Sequence, residues 1–325
     1  MVGDVSVVIC AYTAARWDQL VAAVGSAGLG QSRRPAEVIV VIDHNESLLA
    51  RARRDLATMG GIHVLANSAD RGLSGARNTG LRSATGTIVA FLDDDAIAEP
   101  EWLDRLIAPY EDASVIGAGG AIEAAWEKGR PPWFPREFDW VVGCTYRGMP
   151  EHRAAVRNVI GCNMSFRREV LIALNGFRDE VGRLGARPTG GDETELSIRA
   201  LAANPGASII YEPASSVRHF VPHSRATWSY LWTRCFAEGI SKAAVSRMVG
   251  SGSALSTERR YVRRVLPGGV LRGLRDGVRK GDPWGPARAF AIATGLTVTV
   301  AGYAYGTLTR VRAVRAERPT PRSAP

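Results

Sequence analysis

Four apolar runs of strand length punctuate the first 92 residues: VSVVIC at 5–10, EVIVVI at 37–42, IHVLA at 62–66 and TIVAFL at 87–92. Each is close to continuously apolar instead of alternating with polar residues, the pattern of a strand buried on both faces. The stretches between them, 16–26, 47–59 and 73–84, read as helices. Strands separated by helices require crossover connections, and hence a mainly parallel sheet with helices on both faces. In such α/β architectures ligands sit beyond the carboxyl ends of the strands.

The rhythm changes after Tyr110. Pro131, Pro132 and Pro135 predict a loop, because prolines cannot join a sheet interior. Residues 163–166 read as a short strand, 168–174 and 193–203 as helices, 208–211 as the last strand before His219, and 227–245 as a helix. The run VIGAGG at 115–120 looks like the opening of a dinucleotide fingerprint. Its sixth position is Ile122, however, and it comes late in the sheet, so it reads as a strand crossing the domain. Gly250-Ser-Gly-Ser reads as a linker. The expected organisation is two halves, 1–115 and 116–249, and a helical tail, 250–325.

Charge is distributed unevenly over this plan. From Arg259 to Pro325 fourteen Lys and Arg face three acids, a net of +11, which leaves −2 for residues 1–258 of a chain at +9. A basic tail around an uncharged run at 290–309 points to an anionic membrane surface and excludes nucleic acid, which calls for basic and aromatic residues interleaved on a groove. That run is long enough to span ~30 Å of hydrocarbon, but its threonines and glycines make it weakly apolar. Gly302 and Gly306 permit close helix packing in a membrane. Peripheral or shallow attachment is preferred to a true span, and a docking helix comes third. Residues 318–325 read as disordered. Four scattered cysteines without a CxxC pair exclude a disulfide scaffold and a zinc ribbon, and the N-terminal sequence predicts no secretory leader.

Three acidic or anion-binding features fall at strand ends. Asp93, Asp94 and Asp95 follow the fourth run, where Asp93 and Asp95 suit oxygen ligation of Mg²⁺ or Mn²⁺; a solvated acidic turn is the plainer alternative. Asp43 ends the second run, placed for hydrogen bonds to a ribose or a base edge, or as a helix cap. Arg71-Gly-Leu-Ser-Gly75-Ala-Arg77 opens a helix with glycines that let backbone N–H groups approach an anion. Farther on, Asp192-Glu193-Thr-Glu195 opens another helix after two glycines, a natural place to present a carboxylate to a cleft, although acids also complement a helix dipole there. His219 and His223 follow the last predicted strand. His44, beside Asp43, lines the same edge, whereas His63 and His152 carry no signal.

Taken together, VSVVICAY, VIVVIDHN, RGLSGARNTGL and IVAFLDDD, continued by GCNMSFR at 161–167, NGF at 175–177 and GDETEL at 191–196, resemble family 2 glycosyltransferases of the GT-A fold over roughly residues 5–245. The resemblance implies a sugar transferred with inversion from a nucleotide-sugar, of NDP-hexose type, to a hydroxyl of a saccharide or polyprenyl-linked acceptor in cell-envelope glycan synthesis. It gives the first half to the donor, with Ala11, Tyr12, Asp43, Arg71, Gly75, Arg77 and Asp94 at the nucleotide-sugar, and the second half to the acceptor. It implies Mg²⁺ or Mn²⁺ on Asp93 and Asp95, with His219 or His223 close by. The family's base motif usually reads Glu-Asp; here it is Asp-Glu, which aligns Glu193 with the base and leaves Asp192 as its substitute. Arg225 and Arg234 are weaker candidates for a phosphate of the acceptor, since a Trp/Leu stripe around Arg234 also suits a helix core.

Two rival readings fit these residues less well. A sugar nucleotidyltransferase needs a Gly-rich signature with a reactive Arg and Lys near the first strand, which residues 5–16 lack. A non-catalytic nucleotide-sugar-binding protein is at odds with intact acidic clusters. The expected location is the cytoplasmic face of the cell membrane, peripheral or weakly anchored by the tail. All candidate catalytic residues precede Lys242, so removal of 259–325 is expected to spare transfer.

Overall fold

The computed structural model describes residues 4–56, 58–178, 190–250 and 256–309. Its first four strands, β1 (Val5–Ala11), β2 (Glu37–Ile42), β3 (Ile62–Ala66) and β4 (Ile88–Asp93), are the four apolar runs, and they lie parallel in the order β3-β2-β1-β4. Helices α1 (Trp17–Ala27), α2 (Glu46–Asp55) and α3 (Leu73–Ser83) connect them. Side chains alternate across the sheet. Val7, Ile9, Val38, Val40, Ala90 and Leu92 face one core layer with α1 and α2, while Val8, Ile39, Val41, Val89 and Phe91 face the other with α3.

Beyond β4 the sheet becomes mixed. Its order continues β4-β8-β6-β9-β5, where β5 is Ala96–Ala98, β6 Val115–Trp126, β8 Asn163–Arg167 and β9 Ser208–Val221; β7 (Ala154–Val156) joins β9 from outside this path. β8 is antiparallel to both β4 and β6, and β9 runs parallel to β6. The VIGAGG run is thus strand, as its interrupted fingerprint implied. Helices α4 (Trp102–Ile107), α5 (Arg168–Ala173), α6 (Asp192–Ala203) and α7 (Trp228–Val249) complete the domain.

The strand expected at 208–211 continues to Val221, so His219 lies within it and not after it. Pro213 looks like a strand end, but the register slips from Gly120↔Glu212 to Ala121↔Ser216, which puts the proline in a bulge. A Cβ on Gly120 would lie 1.9 Å from the Ser215 carbonyl oxygen, so only glycine lets the two strands approach there.

Past α7, a short helix (Ser256–Arg260) runs through a π turn (Tyr261–Val265) into the helix Leu266–Lys280, which Gly281 terminates in a left-handed conformation. A second tail helix, Gly285–Leu308, folds back along it. By length and composition this second helix is apolar enough to cross a membrane. Its glycines are nevertheless occupied by protein: a Cβ on Gly302 would meet the Phe236 carbonyl of α7 at 2.1 Å, and one on Gly295 the Phe138 ring at 2.4 Å. Leu266, Ala291 and Ile292 belong to the main core. The described part of the tail is therefore packed into the folded unit, and this packing weighs against the expectation that removing 259–325 spares transfer. The predicted linker after Gly250 and the segment 318–325 lie outside the described residues.

Candidate active site

The parallel register aligns the carboxyl ends of β1, β2 and β4: Cys10 pairs with Asp93, and Ala11 with Ile42. Asp93, the last residue of β4, is half-buried, and Asp94 and Asp95 turn the chain into β5. Because β5 pairs with β9 at Ala96↔His219, the ladder itself delivers the imidazole to this turn. His219 Nε2 stands 3.1 Å from Asp95 Oδ1, and its Nδ1 faces Cys144 Sγ at 3.7 Å.

One guanidinium orders the other side of the turn. Arg16, in the 3₁₀ turn Ala14–Arg16 after β1, donates to Asp94 Oδ2 from Nε (3.2 Å) and Nη2 (3.0 Å), and to Asp95 Oδ2 from Nη1 (3.3 Å). Burial raises the Asp94 carboxyl to about 7 although Arg16 opposes the shift. For Asp95 burial is outweighed by His219 and Arg16, with Arg225 adding to them, and the carboxylate is held well below its usual range. Burial also works against the imidazolium of His219, but Asp95 outweighs it and moves the group up to about 10.

Asp93 looks elsewhere. Ligand atoms of Asp93, Cys162 and His219 lie within 4.8 Å of one another. Asp93 Oδ1 is also 3.5 Å from Arg77 Nη2, which donates to the Gly161 carbonyl at 3.0 Å. Arg77 Nη1 in turn donates to Asp192 Oδ2 at 2.7 Å. Burial disfavours the Arg77 charge, but Asp192 and then Asp93 more than restore it. Thus α3, β4 and the first turn of α6 meet on one buried cation.

Glu193 follows Asp192 at the start of α6. Burial, reinforced by the Asp192 charge, pushes its carboxyl up to about 8. It accepts a hydrogen bond from Thr194 Oγ1 (3.2 Å), to which Asn158 Nδ2 donates (3.4 Å). Arg157 binds Asn158 Oδ1 at 2.9 Å and the tail residue Glu258 at 2.7 and 2.9 Å. A chain of polar contacts thus runs from the Glu193 carboxylate to the start of the tail. Glu195, the third acid of the motif, is fully buried under Arg199 and Arg178 and serves the packing of α6.

At the neighbouring edge Asp43 accepts from Asn67 Nδ2 (2.7 Å) and from the Gly72 backbone N–H (3.0 Å), and His44 Nδ1 is 2.8 Å from it. Asp43 therefore holds the loop that starts α3. Gly75 is required by that loop, since a Cβ there would sit 2.0 Å from the Asp70 carbonyl oxygen. Arg71 is exposed and reaches the His44 carbonyl at 3.4 Å. Tyr12, also exposed, carries Arg16 over its ring at 5.0 Å, and its carbonyl accepts from Asn45.

The sequence profile of glycosyl transferase family 2 matches residues 6–174, more than half of the chain. The chain belongs to this family. It is 32% identical over 306 residues to a glucosyl-dolichyl phosphate glucuronosyltransferase of Haloferax volcanii, covering 94% of this chain and 96% of that protein. The succinoglycan biosynthesis protein ExoM of Rhizobium meliloti is 28% identical over 169 residues, covering 51% of this chain and 50% of its own. Among solved structures, the mannosyltransferase PcManGT of Pyrobaculum calidifontis in complex with GDP-Man and Mn²⁺ superposes with a TM-score of 0.59 at 19% identity, covering 96% of this chain and 88% of that one. This likeness shows the GT-A fold.

Within this glycosyltransferase the structure gathers Asp93, Asp94, Asp95, His219, Arg77, Asp192 and Glu193 around one strand edge, with Arg225 acting on Asp95 from the turn after β9. Arg234 is buried in α7. His223 is exposed, and its backbone N–H bonds Glu127. Arg16 and Cys162 were missed by sequence reasoning. Arg16 reads as the first residue of a helix, and the only hint of its role is that it follows the first strand closely. Cys162, flanked by Gly161 and Asn163, carries no signal until β8 brings it beside Asp93.

Proposed function

We propose that this glycosyltransferase moves a sugar, with inversion, from a nucleotide-sugar to a hydroxyl of a saccharide or polyprenyl-linked acceptor at the cytoplasmic face of the cell membrane. The observation that carries the reading is the convergence of Asp93 and Asp192 on Arg77, which sets the base motif of α6 beside the acidic turn of β4. Residues 1–115 would hold the donor, 116–249 the acceptor, and the tail would attach the enzyme to the membrane. The name of the Haloferax relative specifies a lipid-linked sugar, glucosyl-dolichyl phosphate, and so supports a lipid-linked saccharide as acceptor. ExoM's name supports a role in polysaccharide synthesis.

The donor set suits a divalent ion. A carboxylate is an ordinary ligand for Mn²⁺ or Mg²⁺ and a neutral imidazole within 4.8 Å of it suits Mn²⁺ better than Mg²⁺, whereas burial keeps the Cys162 thiol protonated and a poor ligand. Asp93 would hold the metal, and His219 would join it on releasing the proton that Asp95 stabilises on its ring. When present, such an ion neutralises charge developing on the leaving diphosphate.

The chain's own groups do the rest. Arg77 holds Asp192 at 2.7 Å, so Asp192 is committed to an ion pair. Glu193, raised by burial and by that neighbouring charge, is the carboxyl of the motif left to act as base. In this reading it takes the proton of the acceptor hydroxyl as the oxygen bonds to the anomeric carbon from the face opposite the diphosphate. The glycosidic C–O bond to the diphosphate breaks in the same step, and the nucleoside diphosphate leaves with the electron pair. Asp43 and the Gly75 loop would orient the nucleoside and its phosphates at the start of α3.

The test is transfer by purified enzyme from a panel of nucleotide-sugars to synthetic polyprenyl-phosphate-linked saccharides in Mn²⁺, with product anomeric configuration read by NMR. Retention of configuration refutes the mechanism. Absence of both transfer and donor hydrolysis across the panel refutes the donor class.

A further inference from the structure

The tail presents its charge and its apolar surface in a specific arrangement. Arg259, Arg260, Arg263 and Arg264 frame an open groove of about 240 Å³ on the short helix and π turn that precede Leu266. All four are exposed, and none has an ion-pair partner among the described residues. Four like charges within six residues repel one another, so such a cluster awaits an anion.

The helix that continues from them is amphipathic in an unusual sense. Its Leu266, Gly269 and Gly273 are buried; Gly269 faces Ile292 and Gly273 faces Ala289 of the second tail helix. On the opposite side Leu271, Leu274 and Val278 are 67%, 48% and 87% exposed. Their spacing of three and four residues stacks them on one stripe, beside Arg275 and Arg279. Single exposed apolar residues need no explanation, but a contiguous row does. Trp284, exposed at the turn after this helix, extends the set.

We infer that the stretch from Arg259 to Val278 is the membrane-contacting element, with the arginine groove gripping phosphates of anionic phospholipids and Leu271, Leu274 and Val278 entering the acyl boundary. An apolar row with guanidinium groups at one end and along its flank matches the interface of an anionic bilayer, where apolar burial and headgroup attraction add. This rests on the membrane attachment proposed above and relocates it. The helix Gly285–Leu308, uncharged after Arg288 and the obvious membrane candidate by composition, spends its glycine face on α7 and Phe138.

The experiment is sedimentation of the full-length protein with vesicles of phosphatidylcholine alone or mixed with phosphatidylglycerol. Three variants are compared: Arg259, Arg260, Arg263 and Arg264 all changed to Gln; L271S/L274S/V278S; and F290S/V300S on the exposed side of the second helix. Every substituted side chain is exposed, although Phe290 also meets the Trp228 ring, so thermal melting is measured for each variant and should match the wild type in the first two. The expected result is wild-type binding to phosphatidylglycerol vesicles, weakened about 10-fold or more in each of the first two variants and unchanged in the third. Wild-type binding by either of the first two, or release by the third, overturns this assignment while leaving attachment itself standing. Release of the wild type by inorganic phosphate at matched ionic strength makes free phosphate the ligand and overturns the bilayer assignment. No vesicle binding by the wild type overturns both assignment and attachment, and activity on a soluble acceptor analogue then reports separately on the transferase reading.

Discussion

Arg77 Nη1 lies 2.7 Å from Asp192 Oδ2, and both side chains are almost completely buried. The pair joins α3, at the carboxyl edge of the parallel sheet, to the helix that carries the base motif 115 residues later. Breaking a buried pair by removing one partner leaves an uncompensated charge. Arg77→Ala is therefore expected to cost about 3–5 kcal/mol of stability, measured by urea unfolding. Arg77→Met with Asp192→Asn should recover part of the loss, because neither residue then buries a lone charge. Equal stability of the wild type and Arg77→Ala would show that the pair carries no weight in the fold.

Glu193→Gln preserves size and hydrogen-bonding reach but removes the basic oxygen. Turnover should fall ~10²-fold or more while donor affinity by calorimetry stays near that of the wild type. If Asp192→Asn is crippled and Glu193→Gln is not, the base is Asp192, and Glu193 is its positioning neighbour.

The elevated Glu193 carboxyl sets the direction of the pH profile. The base works only when ionised, so kcat/KM should climb as pH rises and level off above about 8. Asp192→Asn removes the neighbouring negative charge and leaves Arg77 paired with Asp93 alone, and both changes favour ionised Glu193. Whatever activity that variant keeps should therefore reach its plateau at lower pH. An unshifted midpoint would sink the claim that Asp192 tunes Glu193.

Metal dependence is tested without relying on turnover. Asp93→Asn and His219→Ala should each weaken Mn²⁺ binding at least ~10-fold by calorimetry, and excess EDTA should abolish transfer by the wild type. Asp95→Asn should abolish transfer and keep the fold, since its neighbours Arg16 and His219 retain a hydrogen-bonding group between them. Full activity in EDTA would remove the metal from the mechanism.

Deleting 259–325 should leave an insoluble protein or one with a melting temperature lower by more than ~10 °C, because Leu266, Ala291 and Ile292 complete the core and Gly302 seats α7. Gly302→Val tests the same contact in the intact chain: a Cβ there meets the Phe236 carbonyl, and overpacking costs ~1–3 kcal/mol or more. A truncated enzyme that melts like the full-length one would return the tail to the status of a separable appendage.

The first half of the fold was legible because its determinants are local. A strand covered on both faces must be apolar throughout, so β1, β2, β3 and β4 stand out, and the sheet rule then places Asp43 and Asp93 at one edge. The motif order likewise marked Arg77, Asp192 and Glu193 as members of one site. What sequence could not give is which groups neutralise which. The partnership of Arg77 with Asp192 and that of Arg16 with Asp94 span 115 and 78 residues, and nothing in local pattern encodes a contact across such separations. His219 looked like a residue beyond the last strand because Pro213 hid a bulge, and only the β6–β9 ladder shows that pairing with β5 sets it beside Asp95. The packing of the tail was hidden for a related reason. Its composition fixed a basic, weakly apolar segment, but the same glycines serve a membrane helix or a close protein contact, and only tertiary packing decides which surface fills the space that a missing Cβ leaves open.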